Sequence, residues 1–368
     1  MKQQKKMEPK APQQKQYLRS EYNFLDSSKM FLNVLLYPLI VSFIFLFIVE
    51  FVAIFSGNTM ADASQTWIYV FFTLILTQAT FLVVFILYNK KNRINVWKAT
   101  KISQKVNPWA VVIVVAMSAA SIFLLSPFIN LINYLLSLVG YNPDGSLPFE
   151  VNNFWKFLYA AITMALIPGI VEELLMRGVV FQGLLKRWKP IVAIVIGATL
   201  FMLMHTSLQQ TVYQFILGIL LCYTMYVSGN IIYPIIFHFV NNFTVILVSY
   251  IATSRAVSSI AVPYSSAMDY ISPFLYLVLG AAVLVGLSIL LKRVMDNSKK
   301  EGAKEDNVSA EVRPEMLTMI NEGVDRNTVN LLVQQKQQKE KSSRMFFWIS
   351  ISLGCVFWLV NTISEFFI

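Results

Sequence analysis

The sequence is poor in charged residues and in cysteine, and each shortage excludes a class of protein or site. Only 14% of the 368 residues are charged, against about one quarter in soluble domains, and the mean hydropathy is +0.59. This composition excludes an ordinary soluble domain and indicates an integral membrane protein. The two cysteines, Cys222 and Cys355, lie in separate apolar runs, which excludes a disulfide framework and a zinc knuckle.

Long apolar runs are what the sequence has in abundance, and no alternating β pattern competes with them. We predict an all-α, polytopic membrane protein with eight or nine transmembrane helices of about 20 residues each. The predicted spans are Phe31–Phe55, Trp67–Tyr88, Trp109–Leu138, Phe154–Leu185, Ile191–Met204, Val212–Val227, Ile231–Tyr250, Tyr270–Leu291 and Met345–Ile368.

Basic residues are concentrated in alternate loops between these runs. The N-terminal segment, residues 89–107 and residues 186–189 are basic, whereas 56–65 and 139–153 contain no Lys or Arg. The positive-inside rule therefore predicts a cytoplasmic N-terminus, in a multi-pass protein of a plasma membrane that we expect to be bacterial. The net charge of +10 is then explained by contact with the lipid bilayer, and no nucleic-acid partner is expected.

The changes in composition divide the chain into four predicted parts. Residues 1–30 form a basic cytoplasmic segment, and residues 31–292 form the transmembrane bundle, with its core at 154–250. Residues 293–344 are a polar cytoplasmic linker with an amphipathic surface helix at Met316–Val333. Residues 345–368 add an extra C-terminal transmembrane helix, and we expect the tail 293–368 to recruit a partner protein or the substrate.

Ionisable side chains inside the apolar runs are the most informative feature. Each costs on the order of 2.5–3.5 kcal/mol on insertion scales, so such groups usually face one another or a wet cavity. The helix rise places the acids and the first imidazole about 20 and 24 Å from the basic loop at 186–189, which is a similar depth. The polar set contains Glu172, Glu173, Arg177, Asn242 and both histidines of the chain, His205 and His238.

The spacings within this set suggest a division of roles. Glu173 and Arg177 are four residues apart on one helix and can form an ion pair, while Glu172 points about 100° away and stays available for chemistry. A buried carboxylate and an imidazole can activate water, and His238 with Asn242 can donate hydrogen bonds to an oxyanion. This is the inventory of a hydrolase, but a zinc site of Glu172, His205 and His238 also stays open.

Three motifs in this region resemble those of one family of membrane proteases. They are Glu172-Glu173-x-x-x-Arg177, Phe201-x-x-x-His205 and His238-x-x-x-Asn242, in this order on successive predicted spans. The pattern is similar to that of the CPBP family, which includes CAAX proteases, the Ras-converting endopeptidase and the bacterial Abi proteins. The resemblance covers about 154–250 and implies an intramembrane endopeptidase, with metal-dependent and metal-independent mechanisms both open. It implies that Glu172 and His205 activate water and that a peptide or membrane protein is the substrate.

Two other function classes fit the same residues. A non-catalytic scaffold on the same fold would keep the helices but not need every motif residue. A proton-coupled transporter would also use buried Glu, His and Arg, but it predicts inverted repeats that the sequence does not show. We therefore expect an intramembrane peptidase.

Overall fold

The computed structural model describes residues 18–57, 59, 67–102, 105–141, 147–254, 266–306 and 326–365. Within these ranges the chain is a bundle of helices, which confirms the predicted all-α fold. The helices are α1 Phe24–Ser56, α2 Trp67–Lys91, α3 Val96–Ala99, α4 Pro108–Ser137, α5 Phe154–Leu185, α6 Pro190–His205, α7 Leu208–Ser228, α8 Ile232–Ser254, α9 Ala267–Asp306 and α10 Arg326–Glu365.

Most of these helices have the length and hydropathy of membrane spans. Among the described residues, eight helices are long and apolar enough to cross a bilayer. Helix α6, with 16 residues, is shorter than these spans, and α3 is a single turn. The end of α6 matters for the site, because its last residue is His205.

The basic segments lie together at one end of the bundle. Tyr22, just before α1, donates a hydrogen bond to Asn89 near the end of α2. Lys186, in the loop between α5 and α6, lies 2.6 Å from Glu21, and Arg187 lies 2.9 Å from Glu340 of α10. The basic loops of the sequence therefore share one end of the bundle. The assignment of this end to the cytoplasm stays a prediction.

Helix α5 carries the paired acids and is locally wider than an α-helix on both sides of them. Residues Ala161–Leu166 and Leu174–Val180 are π-helical, and Ile167–Glu173 between them is α-helical. The sequence suggests a break or bend at Pro168 and Gly169, but the chain stays helical there. The π turn just before Pro168 is where a residue without an N–H is best accommodated.

Gly169 allows close packing between the helices that carry the acids and His238. A Cβ atom at this position would lie 3.1 Å from the backbone nitrogen of Phe239, the residue after His238. The absence of a side chain therefore lets α8 approach α5 closely next to the site. This contact, together with the π turns, sets how the polar groups of the two helices meet.

Helices α9 and α10 both extend into residues 293–344, the predicted polar linker. Helix α9 continues past residue 293 to Asp306, and α10 begins at Arg326, before the predicted last span. Charged residues continue these helices because Lys, Glu and Gln are good helix formers outside the membrane as well. Of the predicted surface helix, residues 316–325 lie outside the described residues, and residues 326–333 belong to α10.

Candidate active site

The second acid of the pair is the centre of a buried ionic network. Glu173 Oε1 lies 2.8 Å from Arg177 Nη1 and 2.9 Å from His238 Nδ1. Glu173 and Arg177 are fully buried, and His238 is 2% exposed. The predicted ion pair one helical turn apart is confirmed, and the structure adds His238 to it. Glu173 thereby fixes the orientation of the imidazole on α8.

The first acid faces a different set of groups, as its position on the helix predicts. Glu172 Oε1 accepts a hydrogen bond of 2.8 Å from the amide of Gln78 on α2. Its other oxygen, Oε2, is buried, makes no hydrogen bond to a described residue, and lies 3.9 Å from His205 Nε2. The side chains of His205 and Glu172 are 19% and 9% exposed, so this pair is more accessible than the ionic network of Glu173.

A backbone contact sets the protonation pattern of the His205 ring. Its Nδ1 lies 2.9 Å from the carbonyl oxygen of Phe201, one turn earlier in α6. A carbonyl only accepts, so Nδ1 carries a hydrogen and donates it. In the neutral ring Nε2 therefore presents a lone pair toward Glu172 Oε2. Glu172 Oε2 and His205 Nε2, both hydrogen-bond acceptors, therefore face each other across 3.9 Å.

The ring of Phe201 forms a common wall for the site. It lies 4.6 Å from the His205 ring and 5.7 Å from the His238 ring, both with edge-to-face geometry. The Arg177 guanidinium lies over the same ring at 4.3 Å. The ring therefore contacts both histidines and the arginine, and Glu173 and Arg177 beside it are fully buried.

The amide of Asn242 is placed by α5 rather than by His238. Its Nδ2 donates to the carbonyl of Met164, in the first π segment, at 3.2 Å, and its Oδ1 accepts from Asn241 at 3.3 Å. Asn241 in turn accepts from the Tyr213 hydroxyl of α7. The His238 ring, one turn before Asn242 on α8, is held by Glu173. Asn242 instead joins α8 to the first π segment of α5.

Helix α10 contacts the turn that follows His205. Thr206 has a left-handed conformation, with φ of 47°, and its carbonyl accepts a hydrogen bond from Asn361 of α10. Trp358, one turn earlier, donates to the Thr211 hydroxyl at the start of α7 at 2.8 Å. The turn between α6 and α7 is therefore tied to α10 at both sides.

The zinc set suggested by the sequence is not assembled in this arrangement. Among the described residues, no group of at least three His, Cys, Asp or Glu side chains is placed to hold a metal ion. His238 contacts Glu173 through Nδ1, at 2.9 Å, which leaves Nε2 as the ring nitrogen that can face a ligand.

The structure brings together the acids, the arginine and both histidines, and it adds residues that the motifs do not contain. Gln78 is the most important addition, and its only sequence signal is an amide within an otherwise apolar run. Trp358 and Asn361 have no signal in the sequence, because their partners are a backbone carbonyl and a hydroxyl on other helices.

Fold and site together define an all-helical, polytopic membrane protein with a buried acid–imidazole site. Residues 154–244, from the start of α5 into α8, match the model of a family described as Rce1-like, type II CAAX prenyl endopeptidase. The predicted resemblance is confirmed for this segment, and at the family level it supports a CAAX-type protease. A search of curated proteins and a search of solved structures found no match to the chain.

Proposed function

We propose that the protein is an intramembrane endopeptidase that hydrolyses a peptide bond of a membrane-associated peptide or protein. The observation that carries the proposal is the 3.9 Å approach of Glu172 Oε2 and His205 Nε2, both acceptors. One water about 2.8 Å from each atom would subtend roughly 90°, near the tetrahedral angle of its two O–H bonds. Such a water donates both hydrogens and directs its oxygen lone pairs away from the pair.

The carboxylate of Glu172 then acts as the general base. As the water oxygen attacks the scissile carbonyl carbon, its proton moves to Glu172, which later returns it to the leaving nitrogen. Gln78 keeps the carboxylate in position through its 2.8 Å hydrogen bond. His205 orients the water, since its Nδ1–H is already committed to the Phe201 carbonyl.

His238 and Asn242 are the proposed donors to the oxyanion. His238 Nδ1 donates to Glu173, so Nε2 can also donate only when the ring is an imidazolium, whose charge the oxyanion then balances. Asn242 uses one amide hydrogen for the Met164 carbonyl and keeps a second for a ligand. Arg177 balances Glu173 and has a supporting role.

The experiment compares cells that produce the wild type, Glu172→Gln and the control Glu50→Gln at equal protein level. Glu50 is exposed on α1, so its substitution makes the same chemical change away from the site. Quantitative peptidomics and membrane proteomics should find a fragment with the wild type and Glu50→Gln that Glu172→Gln does not produce. The mass of the fragment then shows whether the substrate carries a prenyl group.

A non-catalytic scaffold is the competing function. It predicts identical peptide profiles for the three proteins and an unchanged cellular phenotype with Glu172→Gln. That outcome would refute the peptidase proposal. Loss of the fragment with both glutamine variants would also refute the assigned role of Glu172.

A further inference from the structure

A cavity lies between α1 and α2, with Phe346 of α10 at its edge. Its volume is about 660 Å³, within the range of about 300–1,000 Å³ typical of ligand pockets. Its lining residues include neither the acids nor the histidines of the candidate active site. We refer to this cavity as the α1–α2 groove.

The groove is polar at one end and apolar at the other. Lys29 and Lys91 line the end near the basic side of the bundle, where the start of α1 meets the end of α2. Val41 and Ala79 line the opposite end, twelve residues along each helix, which corresponds to about 18 Å. The hydrocarbon of one leaflet is about half of 30 Å thick, so the groove spans one leaflet from its interface inward.

The positive charge at the polar end is not neutralised by any residue in the described part of the chain. No acidic residue is among the described residues that line the groove, and neither lysine forms an ion pair in the described part of the chain. Asp26, on the first turns of α1, is already paired with Arg19. The ammonium of Lys29 lies 5.2 Å from the centre of the Phe346 ring, which holds it at the rim.

The apolar walls of the groove face the outside of the bundle. Tyr37, Val83 and Leu87 line it and are 49%, 52% and 60% exposed. A side chain so exposed on a membrane span contacts lipid, so the groove opens laterally to the bilayer. A ligand that enters it can therefore come from the membrane.

We propose that the α1–α2 groove binds one anionic glycerophospholipid. The phosphate contacts Lys29 and Lys91, and one acyl chain lies along Val41, Ala79 and Val83. Basic pockets between transmembrane helices are suited to anionic head groups, because each nearby Lys contributes to attraction while the chain stays in apolar surroundings. The proposal does not depend on the proposed peptidase activity, since the groove shares no lining residue with the candidate active site.

The test measures lipid retention by the purified full-length protein with native mass spectrometry. Delipidated protein in detergent micelles is titrated with phosphatidylglycerol or with zwitterionic phosphatidylcholine of the same acyl chains. We expect a one-to-one complex with phosphatidylglycerol and at least tenfold weaker binding of phosphatidylcholine. The double variant Lys29→Gln, Lys91→Gln should bind phosphatidylglycerol about 30-fold more weakly than the wild type does.

A matched control removes the same charge outside the groove. Lys90→Gln, Lys98→Gln changes two exposed lysines of the same basic region that do not line the cavity, and it should bind as the wild type does. Ala79→Trp fills the apolar end and leaves both lysines intact, and it should also weaken binding. Circular dichroism confirms that each variant is folded.

Three results would overturn the proposal. The first is equal binding of the two lipids by the wild type, which requires no variant. The second is unchanged binding by the Lys29→Gln, Lys91→Gln protein, and the third is an equal loss in the Lys90→Gln, Lys98→Gln control. The last result would assign the attraction to the general charge of the surface rather than to the groove.

Discussion

Replacement of Arg177 by methionine tests whether the ionic network is a stabilising unit of the bundle. The arginine is fully buried and lies 2.8 Å from Glu173, and methionine keeps most of its length but removes its charge. The variant leaves a carboxylate without its strongest partner in a water-free environment. Removal of one member of a buried pair costs about 3–5 kcal/mol, largely because the remaining charge is uncompensated.

The double variant Glu173→Gln, Arg177→Met separates this effect from simple loss of packing. The neutral amide needs no cation, and its oxygen can still accept the hydrogen bond from His238. The double variant still lacks the contact between the arginine and the Phe201 ring. A desolvated cation–π contact of this kind contributes about 2 kcal/mol. We therefore expect the double variant to be more stable than Arg177→Met by about 2 kcal/mol.

Equilibrium unfolding in mixed micelles with an increasing fraction of dodecyl sulfate, followed by circular dichroism, measures these free energies. Arg187→Met is the matched control, because Arg187 and Glu340 form an exposed pair in which each side chain is at least 40% accessible. Such a pair contributes about 0–1 kcal/mol. Glu173→Gln alone is measured as well to complete the cycle. Additive effects of the two substitutions, to within about 0.5 kcal/mol, would refute the reasoning, since a buried network requires strong coupling.

Three further substitutions test other contacts of the site. Gln78→Leu removes the hydrogen bond to Glu172 and should lower kcat about 10- to 100-fold on the substrate identified by proteomics, with helix content unchanged; an unchanged kcat would contradict the positioning role. Gly218→Ala should destabilise the packing of α6 on α7 by about 1–3 kcal/mol in the same unfolding assay, because the new Cβ would lie 2.8 Å from the Cα of Ala198. In the control Gly286→Ala the new Cβ meets nothing within 4 Å, so this variant should cost nothing. Asn361→Leu should cost about 1 kcal/mol and lower kcat several-fold, while equal activity would show that the turn after His205 holds its shape alone.

The main elements of fold and site could be predicted because the membrane restricts the alternatives. Apolar length defines helices, and a constant helix rise gives the depth of each polar group, so the convergence of Glu172, His205 and His238 follows from their positions in the chain. The ion pair of Glu173 and Arg177 follows from their spacing alone. These predictions use only distances along one helix or between a residue and the end of its span.

Contacts that depend on the rotation of one helix against another could not be predicted in this way. Gln78 meets Glu172 only because α2 presents that face to α5, and no spacing in the sequence gives this rotation. The hydrogen bond from Asn242 to the Met164 carbonyl joins α8 to a π segment of α5, and no spacing in the sequence predicts that contact. The contact of His238 with Glu173 likewise depends on how α8 is rotated against α5.

The contact between α10 and the turn after His205 has a consequence for the order in which the protein is made. Every motif residue precedes α9, yet the hydrogen bond that Asn361 gives to Thr206 joins α10 to the middle of the chain. Ribosomes synthesise the chain from its N-terminus at about 5–20 residues per second, so this bond cannot form before α10 has been made. A nascent chain whose motifs are already in the bilayer therefore still lacks the hydrogen bond beside His205, and the site reaches its final geometry only after α10 is synthesised.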